Sequence, residues 1–348
     1  MLMKVLVTGA NGHIGSNVVR ALLKAHHDVR GMLRQVADTR GLDGLAFERV
    51  YGDIRDMNAV EAAMRGCDVV INLATPYITQ PENPADVIDP AMDSVRNVLQ
   101  AAAKLRIQKV IHASSATAIG TSKNPSGLRS EKDWRNDGEM PYTTAKVDSE
   151  RIAWTLAEAL EVPLVCLNPP IVLGRFDYRI TPSTRWVFDM LEGTTILPKG
   201  AMCPVHVLDV AAAFVSAIQH GRAGERYIIS GPSVSFKDLA TLIKTMTGKG
   251  PGYSPAPRPV VLGFVGLQYN LLRLLGRPAL ANVAAAREWV HRYQVLDTTK
   301  ANTDLGLSSH SAQEIIEEVI EWGMYLKAFT PQTTARLKER FPSRDAWD

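Results

Sequence analysis

Tyr142 and Lys146 are the pair around which a reaction can be built. They stand four apart in PYTTAKVDSERIAWTLAEAL, a segment that reads as a helix, so both side chains share one face. A phenol titrates at about 10 and is a poor acid–base at neutral pH. A neighbouring ammonium and the positive ring of an oxidised nicotinamide both favour phenolate. Bringing the pKa to about 7 takes roughly 4 kcal/mol, within reach of two cations in a dry cleft. Tyr-x-x-x-Lys also arises by accident, and Ser115 is what raises this pair above that. It ends the run KVIHASS, where a strand delivers it to a sheet edge, and its hydroxyl can hydrogen-bond a carbonyl oxygen beside the tyrosine.

Such chemistry needs a nicotinamide dinucleotide, and the first fifteen residues can hold one. MLMKVLV is an apolar run of strand length, and TGANGHIG follows at once. Gly9, Gly12 and Gly15, with Asn11, His13 and Ile14 between them, form a turn that opens the helix SNVVRALLKAHH. Val18, Val19, Leu22 and Leu23 recur there at helical spacing. Glycine lets the backbone approach closely, and the exposed N–H groups with the helix dipole favour a pyrophosphate. A ribose-binding acid is expected at the end of the second strand. Met32, Leu33 and Arg34 stand there instead, and Asp28 is at the wrong end. Arg34 can pair bidentately with a 2′-phosphate, with Arg40 as a second choice. A solvated arginine is the other reading. NADP(H) is therefore the expected cofactor, with NAD(H) the alternative.

The elements that must position these residues alternate. Strands DVRGMLR, FERVYGDIRD, DVVINLATP and KVIHASSATAIG are separated by the helices MNAVEAAMRGC and ADVIDPAMDSVRNVLQAAAKLRI. Strands alternating with helices for this long predict an α/β, Rossmann-like doubly wound parallel sheet. VPLVCLNPPIVLG reads as a further strand, and HVLDVAAAFVSAIQH with ERYIISG returns to the sheet. RFDYRITPSTRWVFDMLEG and the segment from Pro251 to Tyr293 read as substrate-side additions. Residues 1–168 with about 205–231 are expected to bind the cofactor. Residues 169–204 with 232–330 are expected to form a smaller, discontinuous substrate domain, and 331–348 a peripheral tail.

Composition sets bounds. A charged fraction of 22% and a net charge of +3 give no basis for nucleic-acid binding. Cys67, Cys166 and Cys203 are far apart and fit neither a disulfide framework nor a metal site, which indicates a reducing compartment. No run of about 20 apolar residues suggests a membrane span. The N-terminus runs straight into a strand, so the cytoplasm is the expected location.

TGANGHIG, YGDIRD, NLATP, KVIHASSATAIG, PYTTAK, CLNPPIVLG and PVHVLDVAAAF occur in the order and spacing of the extended short-chain dehydrogenase/reductases. The chain resembles the dihydroflavonol-reductase and cinnamoyl-CoA-reductase branch and the bacterial NAD(P)-dependent epimerase/dehydratases, from Met1 to about Trp322. The resemblance implies a triad: Tyr142 as proton donor, Ser115 as carbonyl orienter, and Lys146 binding the nicotinamide ribose and lowering the tyrosine pKa. It implies Asp53 and Ile54 at the adenine, where a surface turn is the plain alternative. Leu73, Ala74 and Thr75 would flank the cofactor, or simply end a buried strand. Pro169, Pro170 and Val172 would approach the nicotinamide amide, or merely terminate theirs. Pro76, Tyr77, Ala116 and Thr117 would meet a small-molecule carbonyl substrate, and a homodimer through the helices around Val95 and Ile152 is suggested.

Three departures bear on substrate. Sugar-nucleotide epimerases commonly have Arg-Pro where this chain has Asn168-Pro169, and a tyrosine where it has Ile119. Ala91 stands where many relatives keep a relay asparagine; Asn97 reads as structural. The leading expectation is an NADPH-dependent reductase of a small, largely apolar aldehyde or ketone, with an aromatic skeleton as one option. An epimerase or dehydratase acting on a sugar or sugar-nucleotide is the alternative, and a non-catalytic dinucleotide sensor has no need of all three triad residues. His112 and His206 read as core histidines. PVVLGFVGLQYNLLRLLG reads as a helix packed on the core, with an apolar lid and membrane-surface docking as alternatives. Trp186 and Phe188 could wall a pocket or pack in the core. Arg175, Arg179 and Arg185 could meet an anionic group or remain solvated.

Overall fold

The computed structural model describes residues 2–75, 77–78, 81–275, 283–341 and 347. Pro76 lies outside the described residues. Strands β1 (Lys4–Thr8), β2 (Asp28–Leu33), β3 (Glu48–Tyr51), β4 (Val69–Asn72), β5 (Lys109–Ala113) and β6 (Leu164–Asn168) are joined by the strand Glu225–Ile228 in one sheet. All pairings in it are parallel, and the order is Glu225–Ile228, β6, β5, β4, β1, β2, β3. The chain thus winds outward both ways from β1, and the crevice for a ligand opens where β1 and β4 part.

Residues of β1 alternate between two layers. Val5 and Val7 join Val18, Val19 and Leu22 of helix α1 (His13–Lys24) and Phe214 of the helix Val207–Gln219. Leu6 faces the other way, into Val60 of α2 (Met57–Met64), Val98 of α3 (Ala85–Leu105) and Ala153 of a later helix, Pro141–Ala159. With both faces covered, the strand reads as a continuous apolar run, as a parallel sheet requires. Val95 is 2% exposed and packs in this second layer, with the half-buried Ile152 beside it. A third cluster, away from the sheet, gathers Phe188, Phe236, Ile316, Val319 and Leu337.

Four segments differ from the sequence reading. KVIHASSATAIG is not one strand: β5 stops at Ala113, and Ala116–Ile119 is a single helical turn, α4, with Ser115 as its N-cap. VPLVCLNPPIVLG splits at its prolines into β6 and a short strand, Ile171–Leu173, which leaves the main sheet to pair with Pro204–His206. The apolar stretch does form a helix, Arg258–Leu274, but none of its residues is buried. The polar C-terminal stretch forms Pro331–Lys338, whose Leu337 is fully buried.

Candidate active site

A cleft of about 1130 Å³ opens beyond the ends of β1, β2, β4, β5 and β6. Its floor is the glycine turn. Gly9 has φ +65, and a Cβ at Gly15 would stand 2.2 Å from the Gly9 carbonyl oxygen, so α1 rests on the loop at a distance only glycine allows. Gly12 caps α1 in extended conformation with no side-chain bond, and the first turn carries no acid. Its leading N–H groups are therefore left to an anion. The Thr8 hydroxyl donates to Asn72 Oδ1 (2.6 Å) and accepts from the N–H groups of Leu73 (3.1 Å) and Ala74 (3.2 Å). That hydroxyl ties the segment after β4 to the glycine turn.

Gly9, Asn11, Gly12, His13, Ile14 and Gly15 all line the cleft, as do Leu73, Ala74 and Thr75. Arg34 is exposed at its rim beyond β2. Asp53 and Ile54 also line it; Arg55 grips Asp53 at 2.9 and 2.6 Å and holds its carboxyl down at about 2. Arg40 does not line the cleft. Asp38, two residues away, captures its guanidinium at 2.7 Å, and the group stacks over Tyr178. The open volume, the bare helix N-terminus and Arg34 where β2 ends without a carboxylate fit a nicotinamide dinucleotide.

The catalytic side is built from β5, α4 and the helix α5 (Pro141–Ala159). Ser115 Oγ accepts from the Thr117 N–H (3.1 Å) and donates to Thr117 Oγ1 (3.0 Å), which fixes the hydroxyl where the strand ends. Tyr142 sits in the first turn of α5, its ring centroid 5.0 Å from that of Tyr77. Lys146, one turn on, donates to the Ala113 carbonyl at 3.2 Å. Ser115, Ala116, Thr117, Tyr77, Tyr142, Lys146, Pro169, Pro170 and Val172 share the cleft.

The electrostatics differ from expectation in one respect. Burial pushes the Tyr142 phenol above its ordinary value, Tyr77 adds to this, and a hydrogen bond with Ser115 opposes it. Burial also lowers Lys146 to about 8, against the pull of Glu150 and Cys166. Lys146 is directed at the Ala113 carbonyl and still carries its proton at neutral pH, while burial and Tyr77 hold the phenol up.

Two carboxylates that sequence reasoning missed hold this helix. Met140 caps α5 without a side-chain bond, and Glu288 takes that role: it accepts from the N–H groups of Glu139 (2.7 Å) and Met140 (2.9 Å) and from Thr143 Oγ1 (2.7 Å). Glu150, fully buried one turn beyond Lys146, accepts from Ser114, from Asn168 Nδ2 (2.8 Å) and from Arg226 Nε (2.6 Å). Asn168 also donates to the Ser115 carbonyl at 3.2 Å and so braces the turn that carries Ser115. Glu150 has a sequence signal in its helical spacing from Lys146, whereas nothing near α5 announces Glu288.

The remaining residues fall away from the chemistry. His112 is buried beside Asn72 (3.3 Å) and lowered to about 3 by burial, so it is neutral. His206 caps the helix Val207–Gln219 through Leu208 N–H (3.1 Å) and meets Glu318 at 3.1 Å. Phe188 is core and Trp186 packs against it; neither reaches the cleft. Of the three arginines only Arg179 lines the cleft, Arg175 pairing with Glu318 and Arg185 lying over Phe188. Asn97 donates to the Ile54 carbonyl at 2.9 Å, a structural role.

The chain matches the NAD dependent epimerase/dehydratase family over residues 5–230. It is 29% identical over 328 residues to sterol demethylase protein B of Methylococcus capsulatus, spanning 92% of this chain and 98% of that one. To cinnamoyl-CoA reductase 1 of Arabidopsis thaliana it is 31% identical over 243 residues, 65% of this chain and 70% of that one. Its fold superposes on UDP-glucose 4-epimerase of Thermus thermophilus in complex with NAD with a TM-score of 0.71 at 21% identity, covering 92% and 98% of the two chains. With the glycine turn, the parallel sheet and a family match over most of its length, the chain belongs to the NAD dependent epimerase/dehydratase family, whose members are NAD(P)-dependent enzymes.

Proposed function

We propose that the protein is an NADPH-dependent reductase of a small, largely apolar aldehyde or ketone, with Tyr142 as the proton donor. The observation that carries this reading is the meeting of the Ser115, Tyr142 and Lys146 side chains in one cleft with the glycine turn. A phenol held above its ordinary pKa stays protonated at neutral pH, the form an acid needs. Tyr142 would donate its proton to the carbonyl oxygen while Ser115 hydrogen-bonds the same oxygen and orients it. The glycine turn would hold the pyrophosphate, Asp53 and Ile54 the adenine side, and Pro169, Pro170 and Val172 the nicotinamide side. A bound reduced nicotinamide supplies hydride. Two relatives whose names carry a sterol and a cinnamoyl group support an apolar substrate. Asn168 spends its Nδ2 on Glu150 and Ser115 and carries no charge for a sugar nucleotide's phosphates. We assign residues 1–168 with 205–231 to cofactor binding and 169–204 with 232–330 to the substrate, a division the third hydrophobic cluster supports.

The test follows absorbance of the reduced nicotinamide with NADPH, then NADH, across a panel of apolar aldehydes and ketones. Net NADPH consumption is expected. A preparation that copurifies with tightly bound NAD(P)+ and consumes none would favour the epimerase alternative.

Arg34→Ala should weaken NADPH by roughly 10–100-fold, the loss of charge-assisted bonds to a phosphate, and leave NADH nearly unchanged. Cofactor titration by fluorescence checks this, and equal losses for both would remove the phosphate role. A pH profile supplies a second expectation. Lys146 carries its proton below about 8 and loses it above, so kcat for reduction should fall as pH rises through that value. A rate level well beyond it would detach Lys146 from the reaction.

A further inference from the structure

The helix Arg258–Leu274 turns an apolar face outward that nothing among the described residues covers. Val260 (60% exposed), Phe264 (65%), Leu267 (68%), Leu271 (54%) and Leu274 (84%) recur at intervals of four and three and form one narrow stripe. The helix rests on its neighbour, Val283–Trp289, whose Glu288 and Trp289 line the active-site cleft. The stripe therefore flanks the cleft without belonging to it.

Charge selects the partner. Between Asp238 and Glu288 the chain has no acidic residue, although 36 are spread over its 348 positions, and it has six basic ones: Arg258 and Arg273 on this helix, Lys244 and Lys249 before it, Arg287, which pairs with Glu139, and Arg277, which lies outside the described residues. Lys244 and Arg273 are exposed. A second copy docking through the same face would bring like charges together. An anionic lipid surface answers both features, apolar stripe to acyl chains and basic flank to head groups. Among the described residues no helix is long and apolar enough to cross a membrane, so the contact is one of lying on the bilayer.

We propose that Arg258–Leu274 is a docking helix for an anionic membrane surface. It inserts its stripe at the boundary of head groups and acyl chains and holds the cleft beside the bilayer. The proposal stands apart from the reductase reading and survives its failure.

The test is co-sedimentation of the full chain with vesicles of equimolar phosphatidylcholine and phosphatidylglycerol, and with vesicles of phosphatidylcholine alone. Wild type should pellet with the anionic vesicles and much less with the neutral ones. The triple variant Phe264→Ser, Leu267→Ser, Leu271→Ser should bind at least about tenfold more weakly, with an unchanged melting temperature because these side chains are exposed. Arg273→Glu, a surface change, should weaken binding to the anionic vesicles severalfold. Failure of wild type to pellet, equal binding to both vesicles, or a triple variant that binds as wild type does would each overturn the proposal. So would a wild-type dimer in sedimentation equilibrium that the triple substitution turns into a monomer without any vesicle binding, which would give the face to a second copy.

Discussion

Tyr142→Phe is expected to lower kcat for NADPH-driven carbonyl reduction by about 10²–10⁴-fold, the usual worth of a positioned proton donor, while NADPH still binds. The substitution removes one hydroxyl and keeps the ring against Tyr77, 5.0 Å away between centroids, so the cleft should hold its shape. The pairing of lost turnover with retained binding distinguishes a missing acid from a damaged fold. Ser115→Ala should fall short of that loss, since it removes an orienting bond to the same oxygen rather than the proton itself. Steady-state absorbance with the responsive carbonyl and a cofactor titration on the same preparation check both. Substantial activity in Tyr142→Phe would mean that another group gives the proton.

Glu150→Ala should destabilise the protein by roughly 3–5 kcal/mol, because it strands a buried guanidinium. Arg226 reaches Glu150 at 2.6 Å, donates to the carbonyls of Glu131 (2.8 Å) and Asp133 (2.9 Å), and stacks over Trp134 at 3.8 Å. Loss of the carboxylate would loosen that loop, the Ser114–Ser115 turn and α5 together. Glu150 is a positioning residue, and a second readout separates this from simple packing. Its charge raises the Lys146 pKa. Glu150→Gln retains the shape but not the charge, so the fall of reduction rate with pH should begin at lower pH than in wild type. Thermal denaturation measures the first effect and the pH–rate profile the second. A stable Glu150→Ala variant, or an unmoved profile in Glu150→Gln, would contradict the role.

Local pattern made part of this architecture readable. The first strand, the glycine turn and α1 follow from an apolar run, three glycines and a helical period, and each of these is a near-neighbour property. Tyr142 and Lys146 are a near-neighbour pair as well, but their grouping with Ser115 comes from the family resemblance, and the fold brings the three to one cleft. KVIHASSATAIG splits because the β-branched residues are concentrated in its first part, while the Ala- and Ser-rich remainder turns into a helix that Ser115 opens by capping the Thr117 N–H. Arg40 misled because its competitor for the phosphate, Asp38, is a neighbour whose bidentate grip depends on the local turn. The apolar helix shows a different limit. Periodicity says that a face avoids water, not what covers it, and among the described residues nothing buries this one. Glu288 caps α5 from 148 residues downstream of Met140, and such a choice of partner exists only once the chain has folded.

The most direct measurement is a crystal structure with NADP+ bound. The account predicts the Tyr142 Oη within about 2.6–3.2 Å of where a carbonyl oxygen would stand over the nicotinamide C4, with Ser115 Oγ on the same oxygen. A Tyr142 hydroxyl turned away from the nicotinamide, with its route back blocked by packed side chains, would contradict it.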